Sequence, residues 1–107
     1  MNYRAISPKG GVIVKGYEVL YIIRPDLEEE QTKALVAKFS QIVEDNGGTD
    51  LKVDVWGKRR LAYEIKKLNE GFYVLMKFNG EAATVQEMER VMKISEEVIR
   101  YLTTRDE

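Results

Sequence analysis

The region between Val53 and Phe78 alternates apolar and polar side chains in two successive runs. This alternation predicts two β-strands, and the polar segment 66–71 between them predicts the connection of a long β-hairpin. Because neighbouring strand residues point to opposite faces, each run has one apolar face to bury. These faces consist of Val53, Val55, Leu61, Tyr63 and Ile65 in the first run, and of Phe72, Val74, Met76 and Phe78 in the second.

The earlier apolar run, residues 17–23, predicts a strand with apolar side chains on both faces. Such a strand belongs in the middle of a sheet, or has a second face that receives a partner. Pro25 ends it, because proline cannot donate a ladder hydrogen bond. One face carries Tyr17, Val19, Tyr21 and Ile23, and the other carries Leu20 and Ile22.

Apolar residues at three- and four-residue intervals predict a first helix after Pro25. Asp26 and Glu29 have the spacing of a capping box, in which the Asp26 carboxylate accepts hydrogen bonds from the first turn. The Asn46-Gly47 pair provides a left-handed stop at the other end. The buried stripe consists of Leu35, Val36, Phe39, Ile42 and Val43.

A second, shorter helix is predicted after Asn79 and Gly80, which end the hairpin. Thr84 and Glu87 repeat the capping-box spacing. Residues 98–103 then form a last β-rich run. The buried stripe of this helix consists of Val85, Met88, Val91 and Met92.

The resulting order of strand, helix, strand, strand, helix, strand predicts an α+β protein with the ferredoxin-like split βαβ fold. In this fold a four-stranded antiparallel sheet carries both helices on one face and leaves the other face open. Apolar residues on that open face predict a partner, or weak self-association of the isolated chain. The domain is expected over residues 17–103, after a flexible arm of residues 1–16 and before a polar tail of residues 104–107.

Composition limits the chemistry that the chain can perform. With 107 residues the chain forms one domain, and its net charge of -1 means that any attraction to nucleic acid must be local. It lacks Cys and His, the usual thiolate nucleophile and the commonest general base, and no acid/base pair stands out. Glu28, Glu29 and Glu30 fan out around a helix rather than converge on a metal. We expect no enzyme activity, no cofactor, no metal and no membrane segment, in a cytoplasmic protein.

Five cations of the hairpin are interleaved with Trp56 and Tyr63, as in surfaces that receive a polyanion or a partner protein. The alternative is that they only keep an edge strand soluble and block edge-to-edge pairing. Gly57 predicts a β-bulge, which either resets the alternation and turns Arg59 to solvent or leaves Arg59 on a face that the core does not cover. The five cations are Lys58, Arg59, Arg60, Lys66 and Lys67.

Three stretches of the chain resemble one known family: YEVLYIIRP at residues 17–25, WGKRRLAYEI at residues 56–65, and EGFYVL at residues 70–75. The likeness covers about residues 17–103, and the family is that of the bacterial-type small-subunit ribosomal protein number six. A comparison with the aromatic motif of RNA-recognition modules fails, because Glu70 and Val74 stand where that motif has a cation and an aromatic residue.

The resemblance implies a structural, non-enzymatic protein that binds the central domain of small-subunit ribosomal RNA together with small-subunit protein eighteen. It implies a location in ribosomes of the cytoplasm, or alternatively of a plastid. Ile99 departs from a family pattern that often has a second cation beside Arg100. A ligand-binding or regulatory domain of the same fold is the alternative, and it would need a polar site at a subunit interface. The RNA- or partner-binding residues that the resemblance implies are Tyr17, Lys58, Arg59, Arg60, Lys93 and Arg100.

Overall fold

The computed structural model describes residues 13–105. Most of the arm expected over residues 1–16, and the last two residues of the expected tail, lie outside this range. The last strand includes Thr104 and Arg105 and therefore continues two residues beyond its predicted end. The elements are β1 (Lys15–Ile23), α1 (Glu29–Asp45), β2 (Thr49–Ile65), β3 (Leu68–Gly80), α2 (Ala82–Ile94) and β4 (Val98–Arg105).

The four strands form one antiparallel sheet in the order β2-β3-β1-β4. This arrangement confirms the predicted ferredoxin-like split βαβ fold. The strand β1 lies in the middle, as its apolar residues on both faces predicted, while β2 and β4 form the two edges.

The main core lies between one face of the sheet and the two helices. On β1 it contains the fully buried Val19, Tyr21 and Ile23, and the Tyr21 ring meets Phe39 of α1 edge-on at 5.2 Å. Met88 of α2 is also fully buried there. The predicted helix stripes are confirmed, because Leu35, Phe39, Val43, Val85, Met88 and Met92 are buried, and Val36, Ile42 and Val91 pack against them.

The first helix begins two residues later than the predicted cap requires. Glu28 is its N-cap, and the Glu28 backbone N–H donates to Oε1 of Gln31 at 3.1 Å. Asp26 instead accepts two hydrogen bonds from Arg24, at 3.2 and 2.8 Å, and these bonds hold the pKa of the Asp26 carboxyl below its usual value. The predicted Asp26 and Glu29 capping box is therefore wrong, because a charge-assisted pair with Arg24 engages the carboxylate.

The second helix begins earlier than predicted, at Ala82 with Glu81 as its N-cap. Thr84 lies inside the helix, is buried, and donates its hydroxyl to the Asn46 carbonyl at 2.6 Å. Glu87 binds Arg90 through two hydrogen bonds of 2.8 and 2.7 Å. The predicted Thr84 and Glu87 capping box is also wrong, because Thr84 joins the start of α2 to the end of α1 instead.

The hairpin turns over two residues, Lys66 and Lys67, because β3 already begins at Leu68. The connection is therefore shorter than the predicted segment 66–71. Both lysines have left-handed backbone conformations, with φ of 51° and 66°. This geometry matches the mirror-image turns of tight hairpins, but for residues other than Gly and Asn it costs about 1–2 kcal/mol each.

The predicted bulge occurs in β2 at Trp56 and Gly57. The register passes from Val55 opposite Val74 to Gly57 opposite Tyr73, and Gly57 has a φ of 85°. The extra residue resets the alternation, so Leu61 does not share the face of Val53 and Val55 as predicted. Leu61 packs on the open face, the face of the sheet that the helices do not cover.

Candidate functional site

The open face carries a small apolar cluster of its own, made by Ile22, Leu61 and Ile99. We call it the second cluster; it also includes the partly buried Ile65, Leu68 and Tyr73. Its members come from β1, β4 and the end of the hairpin, so the hairpin end packs across the sheet towards β4. This packing decides which polar side chains of the open face meet.

Gly71 permits this packing because it has no side chain. A Cβ atom at Gly71 would lie 2.2 Å from Cγ2 of Ile22, 3.5 Å from Leu61 and 3.7 Å from Ile99. The buried members of the second cluster therefore meet above the glycine backbone; they are Ile22, Leu61 and Ile99. Glycine in a strand often marks a close approach of this kind.

Trp56, which occupies the bulge, forms an ordered stack on the open face. Its ring lies nearly parallel to that of Tyr73, with an interplanar angle of 6° and 6.3 Å between centroids. The indole N–H donates to Asp54 at 3.1 Å, and the Arg59 guanidinium lies 5.3 Å from the ring centroid. This cation–π contact orients a guanidinium that remains exposed to solvent.

A second arginine of the open face is held in a similar way. Arg100 of β4 donates to the hydroxyl of Tyr63, and its guanidinium lies 5.8 Å from the Tyr63 ring centroid. Beside Arg100, a cleft of about 300 Å³ is lined by Lys93 of α2 and by Lys66 of the hairpin turn. Three cations from three separate elements therefore line one cleft.

Next to Arg100 the open face carries a row of leucines. Leu20 lies opposite Leu75 on one side and opposite Leu102 on the other, so three leucines form a row across β3, β1 and β4. Leu102 is 56% exposed. Leu20 lies two residues from Ile22 on β1, and Ile22 pairs with Arg100 on β4. Apolar and cationic side chains therefore share one surface.

The residues implied by the family resemblance do not lie together. Arg59 and Arg100 are on the open face, whereas Lys58 and Arg60 alternate with Arg59 and point to the helix side of β2. Lys93 lies in the last turn of α2. Tyr17 is 9% exposed and stacks on Phe78 in the main core, so the structure gives this residue a packing role.

Sequence reasoning did not single out Trp56, Tyr63 and Lys66 as site residues. The interleaving of aromatic residues and cations in the hairpin was a signal for the two aromatic residues. The same pattern included Lys66, but it did not indicate that Lys66 meets Lys93 and Arg100, because its place in the cleft depends on the packing of the hairpin end over β4.

A cleft of about 600 Å³ lies between α1 and β2 and has mainly apolar walls. Two of the three cations that line it are paired, Arg24 with Asp26 and Lys33 with Glu29 at 3.1 Å, whereas Lys58 forms no salt bridge within residues 13–105. Within residues 13–105 no three potential metal ligands converge, and no helix of that range is long and apolar enough to cross a membrane. The clefts therefore offer no reactive or metal-binding constellation among the described residues.

These features define the class of protein, a ferredoxin-like domain whose open sheet face carries a leucine row and oriented arginines. The comparisons with known proteins narrow this class. Residues 16–105 match the family described as ribosomal protein S6. The chain is 61% identical over 94 residues to small ribosomal subunit protein bS6 of Desulfitobacterium hafniense, which covers 88% of this chain and 99% of that protein.

Two further relatives agree. The bS6 protein of Moorella thermoacetica is 56% identical over 92 residues, covering 86% of this chain and 94% of that protein. The crystal structure of 30S ribosomal protein S6 from Thermotoga maritima superposes with a TM-score of 0.82 at 36% identity, covering 88% of this chain and 89% of that chain. The chain therefore belongs to the ribosomal protein S6 family. It is a structural protein of the bacterial small ribosomal subunit, located in the cytoplasm, and not an enzyme.

Proposed function

We propose that this chain binds the central domain of small-subunit ribosomal RNA as a pair with small-subunit protein eighteen. The observation that carries the proposal is the combination of a partly exposed leucine row and two oriented arginines on the open face. The arginines suit phosphate groups, whereas the leucines require a protein surface. A site that contacts RNA and a protein at the same time would use the arginines and the leucines together.

The charge balance supports a shared site. The net charge of -1 gives the chain no general attraction to RNA, since the electrostatic part of RNA binding comes from cations that neutralise phosphates. A basic partner seated against the leucine row would add the missing cations. The pair is then expected to bind RNA much more tightly than either protein does alone.

The two arginines are available for this role. Within residues 13–105, neither Arg59 nor Arg100 forms a salt bridge with a carboxylate; each instead rests against an aromatic ring. The rings restrict the side chains without neutralising them. Less conformational freedom is therefore lost when the guanidinium groups bind phosphate oxygens.

A gel-shift titration of central-domain RNA at fixed salt tests the pairing. The purified chain is expected to bind weakly alone and at least about tenfold more tightly with protein eighteen, a gain of about 1.4 kcal/mol. Equal affinity with and without the partner would refute the paired mechanism.

Arg59→Ala and Arg100→Ala test the surface. Each is expected to weaken assembly of the ternary complex while changing the free energy of unfolding by less than about 1 kcal/mol, because both side chains are exposed and lose only surface contacts. Lys38→Ala, an exposed cation of α1, is the control and leaves assembly unchanged. A loss of stability as large as that of a core truncation would show that the arginines are structural instead.

A further inference from the structure

The cleft beside β4 brings together three cations from three separate parts of the fold. Lys66 comes from the hairpin turn, Lys93 from the last turn of α2, and Arg100 from β4. The second cluster holds the hairpin end in this position, because Ile65 and Leu68 flank the turn and pack against its buried members Ile22, Leu61 and Ile99. The cations therefore converge through tertiary packing.

These three cations have no acidic counterpart in the described range. Within residues 13–105, no carboxylate lies within salt-bridge distance of Lys66, Lys93 or Arg100. Like charges around one cleft repel one another unless an anion lies between them. The geometry of the cleft consequently favours occupation by an anionic group.

The backbone of the turn is a second, independent observation. Lys66 and Lys67 both have left-handed conformations, where tight hairpins normally use Asn or Gly. A glycine in the turn would relieve the strain but would remove a cation from the cleft. Arg100 is also restrained, because Tyr63 accepts its hydrogen bond and lies beneath its guanidinium.

We propose that Lys66, Lys93 and Arg100 form a composite binding site for one RNA phosphate group. Arg100 offers a planar pair of N–H donors to two phosphate oxygens, and the two lysines add point charges from the other sides. Contacts of this kind fix the orientation of a protein on RNA without reading its bases. That the phosphate belongs to RNA rests on the function proposed above, whereas the anion site rests on the cleft itself.

Inorganic pyrophosphate is the probe for the site, used with the full chain and followed by nuclear magnetic resonance at low salt. Saturable changes in chemical shift are expected at residues 66, 93 and 99–101. Lys66→Gln is expected to weaken pyrophosphate binding about tenfold, as fits the loss of one charged hydrogen bond.

Lys67→Gln is the matched control. It removes the same charge from the same turn, at a residue with the same backbone conformation that does not line the cleft. This variant is expected to bind pyrophosphate within about twofold of the unchanged chain, since each conversion alters the net charge equally. The spectrum of each variant in the absence of pyrophosphate verifies that it folds.

Two results would overturn the site: equal weakening by the two substitutions, or shifts spread evenly over all exposed lysines. A different result would refute the function proposed above and leave the anion site in place. If pyrophosphate binds at the cleft and central-domain RNA with protein eighteen does not bind the chain, the anion site stands and its assignment to that RNA falls. If both bind and Lys66→Gln alone weakens both, the site and its ligand class are supported together.

Discussion

Gly71 is the position at which one added methyl group tests how the hairpin end packs against β4. In Gly71→Ala the new Cβ would lie 2.2 Å from Cγ2 of Ile22, closer than real Cβ contacts allow. Ile22 is β-branched and 6% exposed, so it cannot simply rotate away. Overpacking of this kind costs about 1–3 kcal/mol. The lower backbone entropy of alanine in the unfolded chain offsets about 0.4–1 kcal/mol.

A separation of 2.2 Å is a severe overlap, so the upper half of the overpacking range applies. The net loss for Gly71→Ala is then about 1–2.6 kcal/mol, which lowers Tm by about 4–20 °C in a domain of this size. Urea unfolding measures this loss, with the fluorescence of the single tryptophan as the probe. The mechanism is tested by combining Gly71→Ala with Ile22→Ala, which removes Cγ2, or with Ile22→Val, which keeps it.

The double variant with Ile22→Ala is expected to lose less stability than the sum of its single variants, by at least about 0.5 kcal/mol. The double variant with Ile22→Val should show no such relief, because valine retains the methyl group that the new Cβ meets. Additive losses in both combinations, or a Gly71→Ala variant within about 0.5 kcal/mol of the unchanged chain, would refute the close packing inferred here.

Two further predictions concern the main core. Thr84→Val removes the hydroxyl that donates to the Asn46 carbonyl and should lower the free energy of unfolding by about 1–2 kcal/mol, whereas Thr84→Ser retains the hydrogen bond and serves as the control in the same urea titration. The Tyr21 hydroxyl is buried and finds no hydrogen-bond partner within residues 13–105, so Tyr21→Phe is expected to preserve stability or raise it by up to about 1 kcal/mol. Burial also raises the pKa of Tyr21, so above about pH 10 the unfolded chain loses this proton and the folded chain retains it. Stability should consequently fall as the pH rises past 10, less steeply in Tyr21→Phe, and equal slopes in thermal unfolding between pH 9 and 11 would contradict the assignment.

The helix stripes and the end of α1 could be predicted because they depend on neighbours in the sequence. Leu35, Phe39 and Val43 are three or four residues apart, and Gly47 can adopt the φ of 90° that ends the helix. Both predicted caps were wrong, for different reasons. Asp26 has a competing local partner, Arg24, two residues away. Thr84 bonds to the Asn46 carbonyl, 38 residues away, and only the fold brings the two together.

The hairpin also could be predicted only in part. The alternation predicted the hairpin and Gly57 predicted its bulge, but the sequence did not show which face of the sheet each residue after the bulge would occupy. One extra residue moved Leu61 from the predicted main core to the open face. The same step placed Arg59 on the open face beside Trp56 and left Lys58 and Arg60 on the other side.

The sequence by itself determined the order of the elements, the helix residues of the main core and the family to which the chain belongs. Those properties depend on periodicity and on local motifs, which follow from the order of the residues alone. The tertiary structure alone decided that Lys66, Lys93 and Arg100 share a cleft, and that Arg59 and Arg100 rest on aromatic rings. The physical reason is that the second cluster closes above Gly71, where the absence of one side chain lets the hairpin end reach β4.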